Sequence, residues 1–303
     1  MAVEKPDYIM KNRNMALCYD LHSHSTYSDG VLPPTDLLHR AAERGVDVLA
    51  LTDHDVTAGI AEAMSTAKSV GICLIPGVEI SVTWHKRLIH ILGLGIDPED
   101  ATLLQGLFRL HELRDWRAKE IGKRFEKNGI NGVYEGAKAF TNGDIIGRTH
   151  FARYLVENNH ARDIQDAFKR YLKQGKRCYV PCQWASLEEA VNWINGAGGQ
   201  AVIAHPARYE LGHTLMKSLI GEFRETGGAG IEVVTSSHSY RDCLTMARYA
   251  KDFNLLASAG SDFHGPGNSW VELGKLPSLP GDCEPIWRQW RIDHESEKAS
   301  VLH

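Results

Sequence analysis

LCYDLHSHSTYSDGVLPPTDLLHRAAERGVDVLALTDHD, residues 17–55, contains two short apolar runs, 17–21 and 46–51, each leading into a cluster of acids and histidines. Between them, PPTDLLHRAAERG opens on two prolines and closes on Gly45, as a helix does with Pro in its first turn and Gly just past its last. Strand, helix and strand in that order predict two parallel strands joined by a crossover helix. TAGIAEAMSTAKSVG then repeats the arrangement before a third run at 72–79, and further strand-like runs fall at 88–94, 201–204, 230–234 and 255–259. Seven such runs predict an open parallel sheet or a barrel of the α/β class.

The middle of the chain reads differently. From 101 to 179 the pattern is mainly helical, with Leu103, Leu104, Leu107 and Leu110 as an apolar stripe among charged residues, the signature of a helix with one wet face. This stretch is expected to be a helical insertion folded over one end of the barrel. The remainder divides into an arm at 1–16, barrel parts at 17–100 and 180–290, and a tail at 291–303.

A chain of 303 residues with 43% hydrophobic content can build one such barrel. Its 34 basic and 38 acidic residues leave a net charge of -4, which argues against a disordered chain or a non-specific coat on duplex DNA. The six cysteines form no CxxC pair and are expected to be reduced structural thiols. No signal peptide or long apolar segment is evident, so a soluble cytoplasmic protein is expected.

The chemistry-bearing residues follow the strands. Asp20, His22, His24 and Asp29 follow the first run; Asp53, His54 and Asp55 follow the second; Glu79 ends the third; His90 lies in the fourth. His205 follows the fifth, and Asp262 and His264 follow the seventh. The C-terminal ends of strands are where β/α folds hold ligands. His39, His111, His160, His213 and His294 read as ordinary surface or helix-face residues. Imidazoles with carboxylates suit Zn, Mn or Fe, whereas Mg or Ca alone would favour oxygen donors. Nine candidate ligands exceed what one ion needs. Asp20 and Asp53 are expected to orient neighbouring imidazoles.

DLHSHSTYSDG, LTDHD, PGVEIS, the strand holding His90, AHPAR and GSDFH resemble the PHP (polymerase and histidinol phosphatase) family over about 17–100 and 180–270. That resemblance implies a distorted (β/α)7 barrel with a mainly helical insertion and two or three divalent ions, manganese first, with zinc, iron or, in part, magnesium as alternatives. It implies that His22, His24, Glu79 and Asp262 hold one ion. Glu79 would bridge to a second held by His90 and His205, and Asp29, His54 and His264 would complete a third site. GRTHFARYLVE, FKRYLKQGKRCYVPCQW and AHPARY are similar to bacterial members described as nucleoside 3',5'-bisphosphate phosphatases and as 5'-to-3' exoribonucleases. Their substrates are short RNA and the 5' ends of ribosomal RNA.

Such a centre would clamp phosphoryl oxygens and use a hydroxide held by the ions as nucleophile. Arg148, His150, Arg208 and Lys176 are candidates for binding a further phosphate, the first two at a helix start. Tyr27, Trp184 and Tyr209 are candidates for stacking on a base, with core or rim packing as the alternative. Two other readings stand beside this one. A small-metabolite phosphatase, such as one for histidinol phosphate, would use the same cluster without the basic groups turned toward it. A non-catalytic metal-binding module would keep the fold without the reaction. No membrane and no obligate protein partner are implied.

Overall fold

Seven strands form one sheet in sequence order in the computed structural model, which describes residues 17–141, 145–267 and 271–290. The expected arm at 1–16, the tail at 291–303 and His294 lie outside the described residues. The strands are β1 (Tyr19–Asp20), β2 (Val48–Leu51), β3 (Cys73–Trp84), β4 (Arg87–Leu94), β5 (Gln200–Ile203), β6 (Gly230–Thr235) and β7 (Leu256–Gly260). The first and last strands meet. Leu21 N–H donates to Ala259 O at 3.0 Å, Asp262 N–H to His22 O at 2.9 Å and His24 N–H to Phe263 O at 2.9 Å. The sheet is therefore a nearly closed barrel, as the seven runs and the family resemblance predicted.

One expectation needs correction, because the barrel is not wholly parallel. β3 and β4 are antiparallel neighbours, and β4 is also antiparallel to β5. Trp84 pairs with Arg87 across His85 and Lys86, whose φ angles are 45° and 62°. That is the two-residue hairpin whose twist matches its strands. A two-residue connection cannot hold a crossover helix, so the chain must reverse.

Alternation along the strands separates two apolar layers. Leu49 and Leu51 pack outward with α1 (Pro34–Glu43) and α2 (Ile60–Val70). Val48 and Ala50 face inward with Leu21, Ile75, Leu92 and Val202, and Ile286 and Trp290 complete this inner cluster. The same inward rows carry Glu79 in β3, two pairs of residues on from Ile75, and His90 in β4, two residues before Leu92. The barrel axis is thus apolar at one end and polar at the other.

Between β4 and β5 lie α3 (Ala101–Lys127), α4 (Val133–Lys138), α5 (Arg148–Glu157), α6 (Ile164–Ala167) and α7 (Leu187–Gly196). α3 starts where the Asp100 carboxylate accepts from Leu103 N–H at 2.8 Å, an N-cap that satisfies an otherwise orphaned donor. Its first half sends Leu103, Leu107 and Leu110 into the barrel's outer core, while Ala118, Ile121 and Phe125 join a second core with Phe151, Leu155 and Leu172. Leu104, expected in the same stripe, is 41% exposed. α8 (His213–Glu225) and α9 (Tyr240–Asp252) cover the last strands. None of the six cysteines is in a disulfide, and no helix among the described residues is long and apolar enough to cross a membrane.

Gly260 marks the tightest contact between the closing strand and the polar end. A Cβ there would lie 2.3 Å from His22 Cβ and 3.0 Å from Glu232 Oε1. We expect Gly260→Ala to lower unfolding stability by about 1–3 kcal/mol, the usual cost of overpacking, measured by denaturant titration against the parent.

Candidate metal centre

Nine side chains converge on the polar end of the barrel. His22 and His24 follow β1, Asp29 lies in the next loop, His54 follows β2, His205 follows β5, and Asp262 and His264 follow β7. The expectation of a strand end fails for Glu79, while His90 lies within its strand as expected. Glu79 lies within β3, which runs on past β2 into the hairpin, and His54 bridges to it there. His90 lies within antiparallel β4, opposite Ser81, and reaches the mouth from the first half of its strand.

Glu79 is fully buried at the centre. Its Oε1 lies 2.8 Å from His90 Nδ1 and 3.0 Å from His205 Nε2. Its Oε2 lies 2.9 Å from His54 Nδ1, 3.2 Å from His24 Nε2 and 3.4 Å from His22 Nε2. Asp262 Oδ1 is 3.4 Å from Nε2 of both His22 and His24. Asp29 Oδ1 is 3.0 Å from His264 Nε2 and 3.8 Å from His54 Nε2. Ligand atoms gather as three groups: His22, His24, Glu79 and Asp262; His54, Glu79 and His90; and His24, Asp29, His54 and His264. The first group is the one expected. His54 and His24 stand between groups, a sharing that reading the motifs singly did not anticipate.

The donor set fits divalent cations. Asp29 Oδ1, His54 Nδ1, Glu79 Oε2 and His205 Nδ1 are buried without hydrogen-bond partners. Buried polar atoms are normally satisfied, and six imidazoles around three carboxylates are the mixture that borderline cations prefer. Burial alone would raise the Glu79 carboxyl, but His54, His90 and His22 hold it well below its usual range. Burial opposes the charge on His24, yet Asp262 and Glu79 push that imidazole up to about 10. Burial brings His205 down to about 4, leaving a free lone pair at neutral pH. A cation entering this site displaces protons from histidines held charged by the carboxylates, so binding tightens as pH rises. Titrating Mn into the protein by calorimetry at pH 6 and pH 8 should give the higher affinity at pH 8.

The supporting residues differ from those expected. Among the described residues, Asp20 meets no imidazole. Its carboxylate accepts from Ser261 N–H at 2.7 Å and Gly274 N–H at 2.9 Å, fixing the loop before Asp262. Burial raises it to about 6. Asp53 accepts from Ser25 N–H at 2.8 Å and from the hydroxyls of Ser25 and Ser28 at 2.6 and 2.5 Å. It reaches His24 only through Ser28, whose Oγ lies 3.4 Å from Nδ1. The carboxylate that does orient an imidazole is Glu232. Its Oε1 lies 3.0 Å from His22 Nδ1, and its Oε2 accepts from His205 N–H at 2.6 Å. An acid inside the apolar run GIEVV was the available signal. Backbone strain collects here as well, since Asp55, His205 and Asp262 have φ of 54°, 29° and 56°.

The cluster opens into a cavity of about 180 Å³ that Ser81, Arg114, Arg148, Phe168, Trp184 and Arg208 also line. Arg208 Nη1 lies 2.5 Å from Asp262 Oδ2. Arg148 stands 5.6 Å over the Phe168 ring. Arg114, overlooked in the sequence, donates from Nε to Asp55 Oδ2 at 2.7 Å and from Nη2 to Ser81 Oγ at 2.8 Å. Behind it, Arg117 is buried and donates to Val180 O at 2.9 Å. Burial, with Arg148 and Arg114 nearby, brings its guanidinium down to about 9. The guanidiniums of Arg114 and Arg117 each stand over the Trp184 ring, at 5.1 and 5.5 Å.

Other expected substrate contacts are not at this cavity. His150 is buried, and its Nδ1 accepts from Gly147 N–H at 3.0 Å at the start of α5. Burial lowers it to about 4, so it is a neutral cap rather than a phosphate cation. Lys176 is exposed and does not line the cavity. The Tyr209 hydroxyl accepts from His90 N–H and donates to Ala204 O, both at 2.8 Å, so the ring supports β4 rather than a base. Tyr27 lines a separate, larger cavity of about 760 Å³ beside Phe108 and His111, which none of the nine residues lines. We expect Glu232→Gln to keep the fold and to weaken metal binding about 10–100-fold, as loss of a ligand-orienting carboxylate does, measured by metal content after dialysis against graded free Mn.

Comparison with known proteins gives the same picture. Residues 20–183 match the family described as PHP domain. The chain is 49% identical to the 3',5'-nucleoside bisphosphate phosphatase of Chromobacterium violaceum, covering 89% of this chain and 95% of that one. It is 44% identical to the 5'-3' exoribonuclease Rnm of Escherichia coli K12, covering 93% and 96%. A solved structure of an amidohydrolase from Chromobacterium violaceum, with bound sulfate, superposes with a TM-score of 0.87 at 49% identity, covering 89% of this chain and 95% of that one.

Proposed function

The chain belongs to the PHP-domain family, and on that premise we propose that it is a metal-dependent phosphoester hydrolase acting on 5'-phosphorylated RNA from the 5' end and on nucleoside 3',5'-bisphosphates. The observation that carries this reading is a cationic wall, Arg148, Arg114 and Arg208, on the same cavity as seven of the nine clustered side chains. The bisphosphate phosphatase and exoribonuclease relatives support the choice of substrate.

Two or three divalent ions, Mn first to be tested, would be held by His22, His24, Glu79 and Asp262, by Glu79, His90 and His205, and by Asp29, His54 and His264. When bound, such ions supply Lewis acidity to phosphoryl oxygens and lower the pKa of water. The chain's own groups divide the remaining work. Arg208, already directed at Asp262, offers its outer N–H groups to a phosphoryl oxygen at the cluster. Arg148, in the first turn of α5, offers a second anion site on the insertion side, where helix charge and guanidinium act together. Phe168 stiffens Arg148 from beneath. Two phosphate positions on one cavity suit a terminal 5'-phosphate next to the scissile phosphoester, a feature common to a bisphosphonucleotide and the first linkage of 5'-phosphorylated RNA. We assign 101–179 as the segment that grips the non-reacting phosphate, between barrel parts 17–100 and 180–290. A cytoplasmic location accords with an RNA substrate.

Arg148 and Arg208 facing the cavity count against a small-metabolite phosphatase, and the complete donor set counts against a non-catalytic module. The test is a time course of Mn-loaded protein with a short 5'-phosphorylated RNA and its 5'-hydroxyl counterpart. Stepwise release of mononucleotides from the 5'-phosphorylated RNA alone is expected. Arg148→Ala should raise KM about 10–100-fold, the loss of one charge-assisted hydrogen bond of about 1.5–3 kcal/mol. An intact RNA at confirmed metal loading would sink the exoribonuclease reading.

A further inference from the structure

Among the described residues, Asp29 is the one clustered carboxylate anchored from outside the barrel. Its Oδ2 accepts from Thr149 Oγ1 at 2.8 Å, and its main-chain oxygen accepts from Arg153 Nη2 at 2.5 Å. Both donors belong to α5, more than a hundred residues away in sequence. The other oxygen, Oδ1, is buried without a hydrogen-bond partner and lies 3.0 Å from His264 Nε2. We propose that Thr149 is a positioning residue for the third ligand group, resting on the reading of the cluster as a metal centre.

The argument is one of carboxylate geometry. A free carboxylate can present either oxygen or both to a cation. With Oδ2 engaged by the Thr149 hydroxyl, Oδ1 alone faces His54 and His264, and the group acts as a single directed donor. Orienting bonds of this kind set ligand direction and metal affinity. Arg153 fixes the loop backbone, so the hydroxyl meets a carboxylate held in place. Arg148 precedes Thr149 and lines the cavity. One turn of α5 therefore carries both a phosphate-facing guanidinium and the group that aims Asp29. A shift of that turn changes substrate grip and metal geometry together.

Mn equivalents bound to the wild type, T149V and T149S, measured by elemental analysis across a free-Mn series, test this. The wild type should bind three. T149V, close in shape but without the hydroxyl, should bind two tightly and the third about 10–100-fold more weakly. T149S should restore the third. Turnover by T149V should fall in kcat at limiting Mn and recover at saturating Mn, with little change in KM. A purely structural role would not produce that rescue. Thermal melting checks folding, and T149A removes the same bond if T149V does not fold. Three equally tight ions in T149V overturn the inference alone. Fewer than three in the wild type overturn the trinuclear reading and the inference with it.

Discussion

A buried carboxylate with both oxygens shared among five imidazoles is the constraint around which the rest is arranged. Glu79 reaches His22, His24, His54, His90 and His205. Those residues come from strands on both sides of β3, so its side chain has to stand near the barrel axis. An inward position on a central strand meets that requirement. Burying an anion is costly unless it is compensated, and here His22 and His24, both pushed up by the surrounding carboxylates, supply the compensation.

The antiparallel β4 follows from the same requirement. A helix-linked parallel strand would bring only its end to the mouth. The hairpin brings an interior residue, His90, directly beside Glu79. β3 extends beyond β2 to make that turn, and the added length carries Ser81 and Thr83 to the wall of the cavity and its neighbouring segment. Ser81 in turn receives Arg114, while Thr83 N–H donates to Ala185 O at 2.8 Å. The hairpin is therefore the seam between the barrel and the segments flanking its insertion.

Much of this was legible in the sequence, and the failures have physical causes. Seven apolar runs gave the strand number, and Pro and Gly at either end of the first helix gave its limits to within two residues. Local pattern could not show strand direction, because direction depends on whether a connection is long enough to cross over. The nine converging residues could be named because acids and histidines in apolar surroundings have few uses. Their supports were harder to see. Glu232 and Arg114 look like single charges on a strand and a helix, and only the folded chain puts them beside His22 and Ser81. His150, expected at a phosphate, and Tyr209, left open between base stacking and packing, show that a side chain satisfied by its own backbone neighbourhood looks, in sequence, the same as one free to meet a ligand.

The seam between the first and last strands has a temporal meaning. The bond from Asp262 N–H to His22 O joins groups far apart along the chain, the second made long after the first. On the ribosome, His22, His24, Asp29 and His54 emerge long before Asp262 and His264. Until the later residues arrive, they are separate donors on an open sheet with an unpaired edge, exposed as partly made chains are. The full set of donors comes together only with the last strand, so the centre closes as a clasp that fastens last.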